Sequence, residues 1–472
     1  MKILDKGFFI FDSAFPMHTW YPVLDGKLIE STPNNNDIYN QIDTSDISKR
    51  ALYFHIPFCE GNICSFCSFS RKIKTSDEEV DKYVSALIRE IEIKSQYEKI
   101  SQVPIHSIFF GGGTPSILTP VHIRKIGLAI KKHFNLTKLK EFSFENNIHS
   151  VTEEKLIALK EIGVTHVRAG VQSLNPKYRS YFDLLTNVDE VYYKLDIMKK
   201  YFENVCIDMI YGINGQTIEE FIEDIHLACS IGTKLIDFYP LTQPTSNMKL
   251  GKLFTEQGLE PKSELEIMGF GIILKEILKS YGYIAHNGHG FVKVSDSYAQ
   301  SSSVTSQDYC FEYHKCTMGY DDGDVVGFGA GASSKFINYG MCNIRNISQY
   351  ISSLDDNIIL SDIYEVNPEL HYSKGITTHL PYFGYAEKNK LDFSKMSAEV
   401  IDCLETLLSK GIIYEDINKY YIRPDAWYWD NVLMYYLSPD CEKNILDSFI
   451  KNSENTSDYT FNRLSCLGDE NV

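Results

Sequence analysis

The sequence predicts an α/β fold built on a parallel β-sheet. Between residues 51 and 241, short apolar segments alternate with segments of helical periodicity, which is typical of strand–helix units. The strands are apolar throughout, as expected for strands that helices cover on both faces. Six units are fewer than a closed (β/α)8 barrel requires. The six predicted strands are 51–58, 105–110, 141–145, 166–171, 205–211 and 235–240.

Helix-start signals separate these strands. Ser76 with Glu79, and Ser150 with Glu153, each have the spacing of a capping box. Thr119-Pro120 places a proline at the first position of another helix. Each signal precedes an apolar pattern with helical spacing, so we predict helices between consecutive strands.

Beyond residue 250 the pattern changes. We predict a helix at 264–281, a polar loop at 295–308, a Gly-rich stretch at 324–338, and a helix at 398–410 that a strand pair follows. The predicted domains are an N-terminal extension (1–50), the strand–helix core (51–245), a core extension with the Gly-rich turn (246–355), and a helical or winged C-terminal domain (356–472).

The composition limits the classes of function. The chain has 472 residues and a net charge of −17, and no long basic stretch offsets that charge, which disfavours nucleic acid as a partner. No apolar window reaches the length of about 18 residues that predicts a transmembrane helix, and the N-terminus lacks the apolar core of a signal peptide. Eleven cysteines without regular disulfide spacing are typical of the reducing cytoplasm.

Three cysteines lie within nine residues, directly after the first predicted strand. Cys59, Cys64 and Cys67 are too crowded and too few for two disulfides, so we interpret them as metal or cluster ligands. Three thiolates suit a [4Fe–4S] cluster in which one iron keeps an open coordination site. A zinc site with His55 or a distant cysteine as its fourth ligand is the alternative.

The segment around these cysteines resembles the radical S-adenosylmethionine (SAM) enzymes. HIPFC, two further cysteines and an aromatic residue before the last one are similar to the oxygen-independent coproporphyrinogen III oxidase branch, which includes anaerobic haem-degrading and haem-chaperone relatives. The family spacing is CX3CX2C, whereas this chain has CX4CX2C, with Gly61-Asn62 as a turn that holds the extra residue. The resemblance implies a partial (β/α)6 radical SAM barrel with a small, mostly helical C-terminal domain.

The resemblance also implies a SAM site at the carboxyl ends of the strands. The segment GGGTP is similar to a SAM-binding turn of the family, and its glycines allow a close approach of the backbone. Glu145 and Gln172 end two of the strands, and Asp208 lies inside an apolar strand, where an unpaired acid is costly. The implied SAM contacts are Tyr53, Gly112, Gly113, Thr114, Glu145, Gln172 and Asp208, and the implied cluster ligands are Cys59, Cys64 and Cys67.

Two positions depart from the family pattern. Leu184 stands near the place of a family arginine that follows the GVQ segment, and Arg168 and Arg179 are the candidates to replace it. Asn214 stands where the YGLPGQT segment of the family has a proline.

Three further features allow two interpretations each. The Gly-rich segment 327–333 is either a structural turn or part of a second SAM site. His286 and His289 are either surface loop residues or ligands of haem iron or another metal. The aromatic cluster Trp427–Trp429 either packs in the core or a domain interface, or forms an apolar wall for a flat tetrapyrrole.

The resemblance implies a radical SAM oxidoreductase similar to coproporphyrinogen dehydrogenase. One SAM, or one of two, would be cleaved at a reduced [4Fe–4S] cluster to give a 5′-deoxyadenosyl radical, which takes a hydrogen atom from the substrate. The predicted substrate is a tetrapyrrole, through oxidative decarboxylation of coproporphyrinogen III or anaerobic haem modification. Flavodoxin or ferredoxin would supply the electron. The alternatives are methyl transfer or cyclisation on another small molecule, a haem chaperone with little turnover, and a zinc-binding structural protein.

Overall fold

The structure is a computed structural model that describes residues 35–67, 71–241, 248–294 and 311–444. A sheet of twelve strands forms its centre, and sheets of three and two strands accompany it. The strands are β1 (Lys49–Ile56), β2 (Phe58–Cys59), β3 (Lys72–Ile73), β4 (Ile105–Gly112), β5 (Glu141–Asn147), β6 (His166–Gln172), β7 (Asn204–Tyr211), β8 (Leu235–Pro240), β9 (Tyr283–Ala285), β10 (Gly290–Lys293), β11 (Gly323–Phe328), β12 (Ser333–Lys335), β13 (Tyr339–Asn343), β14 (Leu360–Glu365), β15 (Tyr385–Glu387), β16 (Ile413–Glu415) and β17 (Lys419–Ile422).

Helices connect most of these strands. The α-helices of the described residues are α1 (Asp77–Lys94), α2 (Glu98–Ser101), α3 (Pro120–His133), α4 (Glu153–Ile162), α5 (Pro176–Tyr181), α6 (Val188–Tyr201), α7 (Ile218–Ile231), α8 (Met248–Glu256), α9 (Glu264–Ser280), α10 (Glu312–Thr317), α11 (Ile347–Ser353), α12 (Pro368–Tyr372), α13 (Leu380–Phe383), α14 (Ala398–Ser409) and α15 (Asp430–Leu437). The 3-10 helices are Asn35–Asn40, Pro115–Ile117, Ile148–Ser150, Leu354–Asp356, Lys388–Lys390 and Trp427–Trp429, and Gly375–His379 is a π-helix.

The central strands run parallel in the order β11-β1-β4-β5-β6-β7-β8. The six predicted strands are confirmed, and β11 adds a seventh parallel strand within the Gly-rich stretch. Antiparallel strands then extend both edges, with β10 and β9 beyond β8, and β12, β13 and β14 beyond β11. The segment that follows the strand–helix core therefore completes the same sheet.

One of the three predicted helix starts is wrong, and another is confirmed without its full capping box. Ser76 does cap α1, but the carboxylate of Glu79 accepts a hydrogen bond from Lys72 Nζ at 2.5 Å instead of closing the capping box. The next predicted box is wrong by two residues, because Thr152 caps α4 and Ser150 ends a 3-10 helix. The proline-initiated start of α3 is confirmed.

The C-terminal part combines helices with the small sheet β15-β17-β16. The predicted helix and the strand pair after it are confirmed by α14, β16 and β17. Trp427 is buried, donates its indole N–H to Pro381 O at 2.7 Å, and lies 4.0 Å from Lys275 Nζ of α9. These contacts favour the packing interpretation of the Trp427–Trp429 cluster.

Two predicted segments lie largely or wholly outside the described residues: the N-terminal extension up to residue 34, and the polar loop at 295–308. Within the described ranges, no helix combines the length and the apolar character needed to span a membrane.

Candidate functional site

The predicted site residues collect at one edge of the sheet. Strands β1, β4, β5, β6 and β7 are consecutive neighbours and run parallel, so their carboxyl ends share that edge. Ligands of open α/β sheets bind outside these strand ends. The cysteine loop follows β1, the GGGTP segment ends β4, Glu145 lies near the end of β5, and Gln172 ends β6.

The extra residue of the CX4CX2C motif is accommodated by a docked turn. Gly61 has a φ of +80°, which is the left-handed region that favours glycine. The side-chain amide of Asn62 donates to Asp183 O at 2.6 Å, and the Phe66 ring packs against Phe182 with centroids 4.9 Å apart. The predicted Gly61-Asn62 turn is thus confirmed, and it fastens the loop to the segment after α5.

The cysteine thiols lie in a half-buried pocket beside one cation. Thr114 Oγ1 donates to Cys59 Sγ at 3.7 Å. Burial raises the pKa of Cys59, and burial with the neighbouring thiols raises the pKa of Cys64 to about 12, while Arg71 lowers both. Arg71 also donates to Cys67 O at 2.5 Å. Such thiols lose their protons when a metal binds, because the metal stabilises the thiolate.

The three cysteine sulfurs do not all lie within the spacing that the ligands of one zinc ion need. In the described ranges, one set of three metal-ligating side chains has donor atoms within 4.8 Å of one another, and that set does not include the cysteine loop. Zinc–thiolate bonds of about 2.3 Å in tetrahedral geometry need sulfurs about 3.8 Å apart. His55, the alternative zinc ligand, lies 3.1 Å from Tyr53 OH through Nδ1, and its ring packs against Gly112.

Gly112 and Gly113 are required by the close approach of β4 to β1. Gly112 has a φ of +110°, and a Cβ there would lie 2.8 Å from the His55 ring. A Cβ on Gly113 would lie 2.7 Å from Phe58 O. These glycines therefore allow close contact with His55 and Phe58 of the protein itself. The same contact places the next residue, Thr114, beside the cysteine loop.

Glu145 is a half-buried residue whose carboxyl group forms no ion pair within the described residues. Burial and the nearby Asp208 raise its pKa to about 8, against the lowering effects of Arg168 and of the Gly112 N–H. Both Glu145 Oε2 and Tyr53 Cε2 would lie 3.2 Å from a Cβ on Gly111, so the two side chains share the space beside that glycine. A buried carboxylate is costly until hydrogen-bond donors satisfy it, so Glu145 suits a ligand that supplies donors.

Gln172 has an unusual backbone conformation. Its φ is +69°, and the pairing of β6 with β7 shifts register between Gly170 and Gln172. Such strain in a residue other than glycine concentrates at functional sites. Arg179 supports the turn by donating to Val171 O at 3.0 Å and to Ser173 O at 2.8 Å. The guanidinium of Arg179 is therefore engaged by backbone carbonyls of this turn.

Arg168 is also engaged by the protein. Its Nη2 atom donates to Asp208 Oδ1 and to Asp237 Oδ2, both at 2.5 Å. Leu184 packs in an apolar cluster that includes Phe182. Neither candidate arginine therefore takes the place that the family arginine would have near Leu184.

Sequence analysis missed Asp237 and the partners of Arg168. With Cys206 and Asp208, Asp237 forms the one compact set of ligand atoms noted above, and the Arg168 guanidinium neutralises its carboxylates. A signal was available, since each of these charged residues interrupts an apolar strand, as Asp208 does. Charges at such positions are expected to be paired.

The surface-loop interpretation of His286 and His289 is wrong. Both are buried in the turn between β9 and β10, and burial lowers the pKa of His286 to about 4. His289 Nε2 lies 3.9 Å from Asp237 Oδ2 and 3.3 Å from Tyr382 OH, which in turn lies 2.9 Å from His314 Nδ1. The two histidines thus belong to a cluster of polar side chains that extends from Asp237 to Tyr382 in the C-terminal part.

The Gly-rich segment 327–333 is a structural turn. Gly329 N donates to Glu90 at 2.7 Å, and Ala330 N donates to Tyr83 OH at 2.9 Å, so both of these backbone donors are used within the protein. A Cβ on Gly329 would lie 2.5 Å from His55 O, which also accepts from Tyr83 OH. The turn therefore supports β1, the strand that leads to the cysteines.

Comparison with known families agrees with this geometry. The model of the Radical SAM superfamily matches residues 53–228. This chain carries a radical SAM domain. The matched range contains every predicted cluster and SAM residue, from Tyr53 to Asp208. A [4Fe–4S] cluster and SAM, the predicted cofactors, are the cofactors of radical SAM domains.

Individual relatives of the radical SAM domain extend beyond it. The haem chaperone HemW of Bacillus subtilis is 26% identical over 392 residues, covering 79% of this chain and 95% of the relative. Anaerobilin synthase of Escherichia coli O157:H7 is 26% identical over 312 residues, 66% of each chain. The solved structure of coproporphyrinogen III oxidase from Escherichia coli superimposes with a TM-score of 0.72 at 18% identity, covering 89% of this chain and 96% of that one. The predicted fold class is confirmed.

Proposed function

We propose that this protein is a radical SAM enzyme that acts on a tetrapyrrole. The observation that carries the proposal is the convergence, at one edge of the parallel sheet, of a three-cysteine loop with Thr114 and with the Glu145 carboxyl group, whose pKa is raised to about 8. A cluster ligand set next to buried polar groups without protein counter-ions is what a SAM-binding cluster site requires.

Each residue has a defined task in this proposal. Cys59, Cys64 and Cys67 hold the [4Fe–4S] cluster, and Thr114 donates a hydrogen bond to Cys59 Sγ. Glu145 accepts hydrogen bonds from SAM. When bound, the cluster and SAM supply a one-electron reductive cleavage that yields a 5′-deoxyadenosyl radical.

The rest of the predicted SAM set surrounds these groups. Asp208 is held by Arg168 and points from β7, while Gln172 is aimed by its left-handed backbone conformation. Tyr53 closes the site beside Glu145. Together these side chains orient SAM and exclude water from the strand ends.

The tetrapyrrole substrate is supported by the names of the relatives. Coproporphyrinogen III oxidases and anaerobilin synthase are among them, so oxidative decarboxylation of coproporphyrinogen III and anaerobic haem modification are the two reactions we propose. A low-potential donor such as flavodoxin or ferredoxin supplies the electron. A reducing compartment such as the cytoplasm keeps the thiols available, and we retain that location as part of the proposal.

The test is a SAM cleavage assay on the full chain, reconstituted anaerobically with iron and sulfide. Dithionite and SAM are added with haem, with coproporphyrinogen III or with neither, and 5′-deoxyadenosine is measured by mass spectrometry. We expect product that rises with one tetrapyrrole and disappears in Cys64→Ala. The matched control is Cys403→Ala, a half-buried cysteine of α14 that should leave product unchanged. No product from a brown, cluster-loaded protein would contradict the enzymatic proposal.

A haem chaperone is the second candidate function, because the match to HemW covers 95% of that relative. It predicts haem binding that persists in Cys64→Ala and 5′-deoxyadenosine that does not respond to haem. SAM cleavage without any tetrapyrrole response would instead favour methyl transfer or cyclisation on another small molecule.

A further inference from the structure

Two carboxylates face each other beside the proposed SAM site. Asp208 of β7 and Asp237 of β8 are direct Cα partners in the parallel pairing of the two strands. The Asp237 side chain is 2% exposed and the Asp208 side chain 20% exposed. Two carboxylates this close and this buried cannot both ionise without a cation, because like charges in a low dielectric share a proton instead.

Arg168 supplies the cation. It projects from β6, and one guanidinium nitrogen reaches both carboxylates at 2.5 Å. The Phe311 ring lies 5.2 Å from the guanidinium carbon, and Tyr239 OH donates to Asp237 at 3.1 Å. The three charged side chains come from three neighbouring strands, so the sheet fixes their arrangement.

We propose that Arg168 is a positioning residue that keeps Asp208 ionised and oriented for SAM, and that Asp237 anchors Arg168. This inference rests on the proposed function, since the SAM contact of Asp208 belongs to that proposal. In this arrangement Asp237 acts on SAM binding through Arg168. Asp208 is ordered when the protein folds, so SAM binding does not bear the entropy cost of ordering this charged acceptor.

Arg168 is the one permanent cation that pairs with the two carboxylates among the described residues, since the imidazole of His289, 3.9 Å from Asp237 Oδ2, is charged only when protonated. The other titratable groups that act on the two carboxylates are Glu145 on β5, Cys206 on β7, Tyr239 on β8, and His286 and His289 in the β9–β10 turn. None of these is a lysine or arginine. Removal of the guanidinium therefore leaves the carboxylate pair to share one proton, and Asp208 is then ionised for only part of the time.

The experiment compares SAM dissociation constants for four variants of the full chain, reconstituted with its cluster. Radiolabelled SAM is measured by anaerobic equilibrium dialysis between pH 6.5 and 9. Arg168→Met should weaken binding about tenfold at pH 7, and the loss should shrink as the pH rises and the shared proton leaves. Arg168→Lys should retain most of the affinity, since an ammonium also neutralises the pair. Asp237→Asn alone should stay within about threefold of the parent, since Arg168 still holds Asp208.

The decisive variant is Arg168→Met combined with Asp237→Asn. Without its like-charged neighbour, Asp208 ionises unaided, so the double variant should return to within about threefold of the parent. Binding as weak as in Arg168→Met alone would overturn the inference and indicate that Arg168 contacts SAM or substrate itself. Unchanged binding in Arg168→Met would also overturn it.

Thermal unfolding of the same variants separates this inference from the proposed function. Arg168→Met should lower the midpoint and the added Asp237→Asn should restore it, whether or not SAM binds. A parent protein that binds no SAM would refute the proposed function, while the unfolding midpoints would still decide whether Arg168 neutralises the carboxylate pair. A double variant less stable than Arg168→Met would refute that neutralisation.

Discussion

Two glutamates of this protein differ in how completely the chain satisfies their carboxyl groups. Glu90 of α1 receives hydrogen bonds from Lys94, Asn343, Tyr350 and a backbone N–H of the Gly-rich turn. Glu145 of β5 forms no ion pair in the described residues, and burial raises its pKa to about 8. Protein donors satisfy the carboxyl group of Glu90. The carboxyl group of Glu145 can still accept hydrogen bonds from a ligand.

The difference indicates that Glu90 supports the structure, whereas Glu145 is available to bind a ligand. Glu90 ties the Gly-rich turn to α1, and Tyr83 ties the same turn to the carbonyl of His55 in β1. That network fixes the strand which carries the cysteines, and it leaves no acceptor for a ligand. Glu145 lies at the strand ends, where an unsatisfied acceptor costs stability and is retained for a ligand.

Replacing Glu90, the glutamate whose carboxyl group is satisfied, should have the largest effect on stability. Glu90→Gln leaves the ammonium of Lys94 buried without an anion, and both side chains are fully buried in the parent. We expect a loss of about 3–5 kcal/mol in the free energy of unfolding, measured by urea titration. Glu78→Gln is the control, because it breaks an exposed pair with Lys82 on the same helix and should change stability little. Equal losses in both variants would contradict the distinction.

Glu145→Gln should show the opposite behaviour. At pH 9, where the carboxylate predominates, stability should be unchanged or higher, because an amide is easier to bury than an unpaired carboxylate. SAM affinity should fall by about ten- to a hundredfold, measured by anaerobic equilibrium dialysis. The control is Glu141→Gln at the other end of β5, where Ser107, Ser143 and the Glu312 N–H satisfy the carboxyl group. There SAM binding should hold and stability should fall.

The pH dependence of SAM binding sharpens the same comparison. The pKa of Glu145 is raised to about 8, so the carboxylate that accepts hydrogen bonds is scarce at pH 7 and predominant at pH 9. If SAM prefers the ionised form, its affinity should rise about tenfold over that interval. Glu145→Gln should remove this rise. A parent affinity that falls with increasing pH would mean that the protonated carboxyl group, acting as a donor, is the form that binds.

The sequence was sufficient where the information is local. The cysteine motif, the Gly61-Asn62 turn and the six apolar strands could all be predicted, because each depends on residues next to one another in the chain. Strand β11 could not, because its glycines also fit a turn, and only pairing with β1 identifies it as a strand. The predicted capping box at Ser150 failed because Thr152 offers an equivalent cap two residues later.

The parts of the candidate site that sequence analysis missed are long-range. Arg168 and Asp237 are 69 positions apart, and only the sheet order makes them partners. His286 and His289 look like residues of an exposed loop, yet β9 and β10 fold that loop over Asp237. The one local signal for the cluster of Arg168, Asp208 and Asp237 was a charged residue inside an apolar strand. That signal identified Asp208, but it did not indicate that Arg168 is the cation paired with it.

The smallest expected effect concerns the cation beside the cysteine loop. Arg71 lowers the pKa of both Cys59 and Cys64, so its charge stabilises negative charge on the loop. Reduction adds one negative charge to a cluster held there, and Arg71→Gln should therefore make the reduction potential more negative by about 50 mV. Spectroelectrochemical titration of the reconstituted protein measures the shift.

Lys72→Gln is the matched control, because it removes the next positive charge along the chain from a side chain that pairs with Glu79. Its potential should change less than that of Arg71→Gln, because an ion pair with Glu79 already offsets the charge of Lys72. Equal shifts in the two variants would show that the cluster responds to the net charge of the surface and not to the guanidinium that contacts its loop. A shift confined to Arg71→Gln would show that the guanidinium beside the cysteine loop stabilises the reduced cluster.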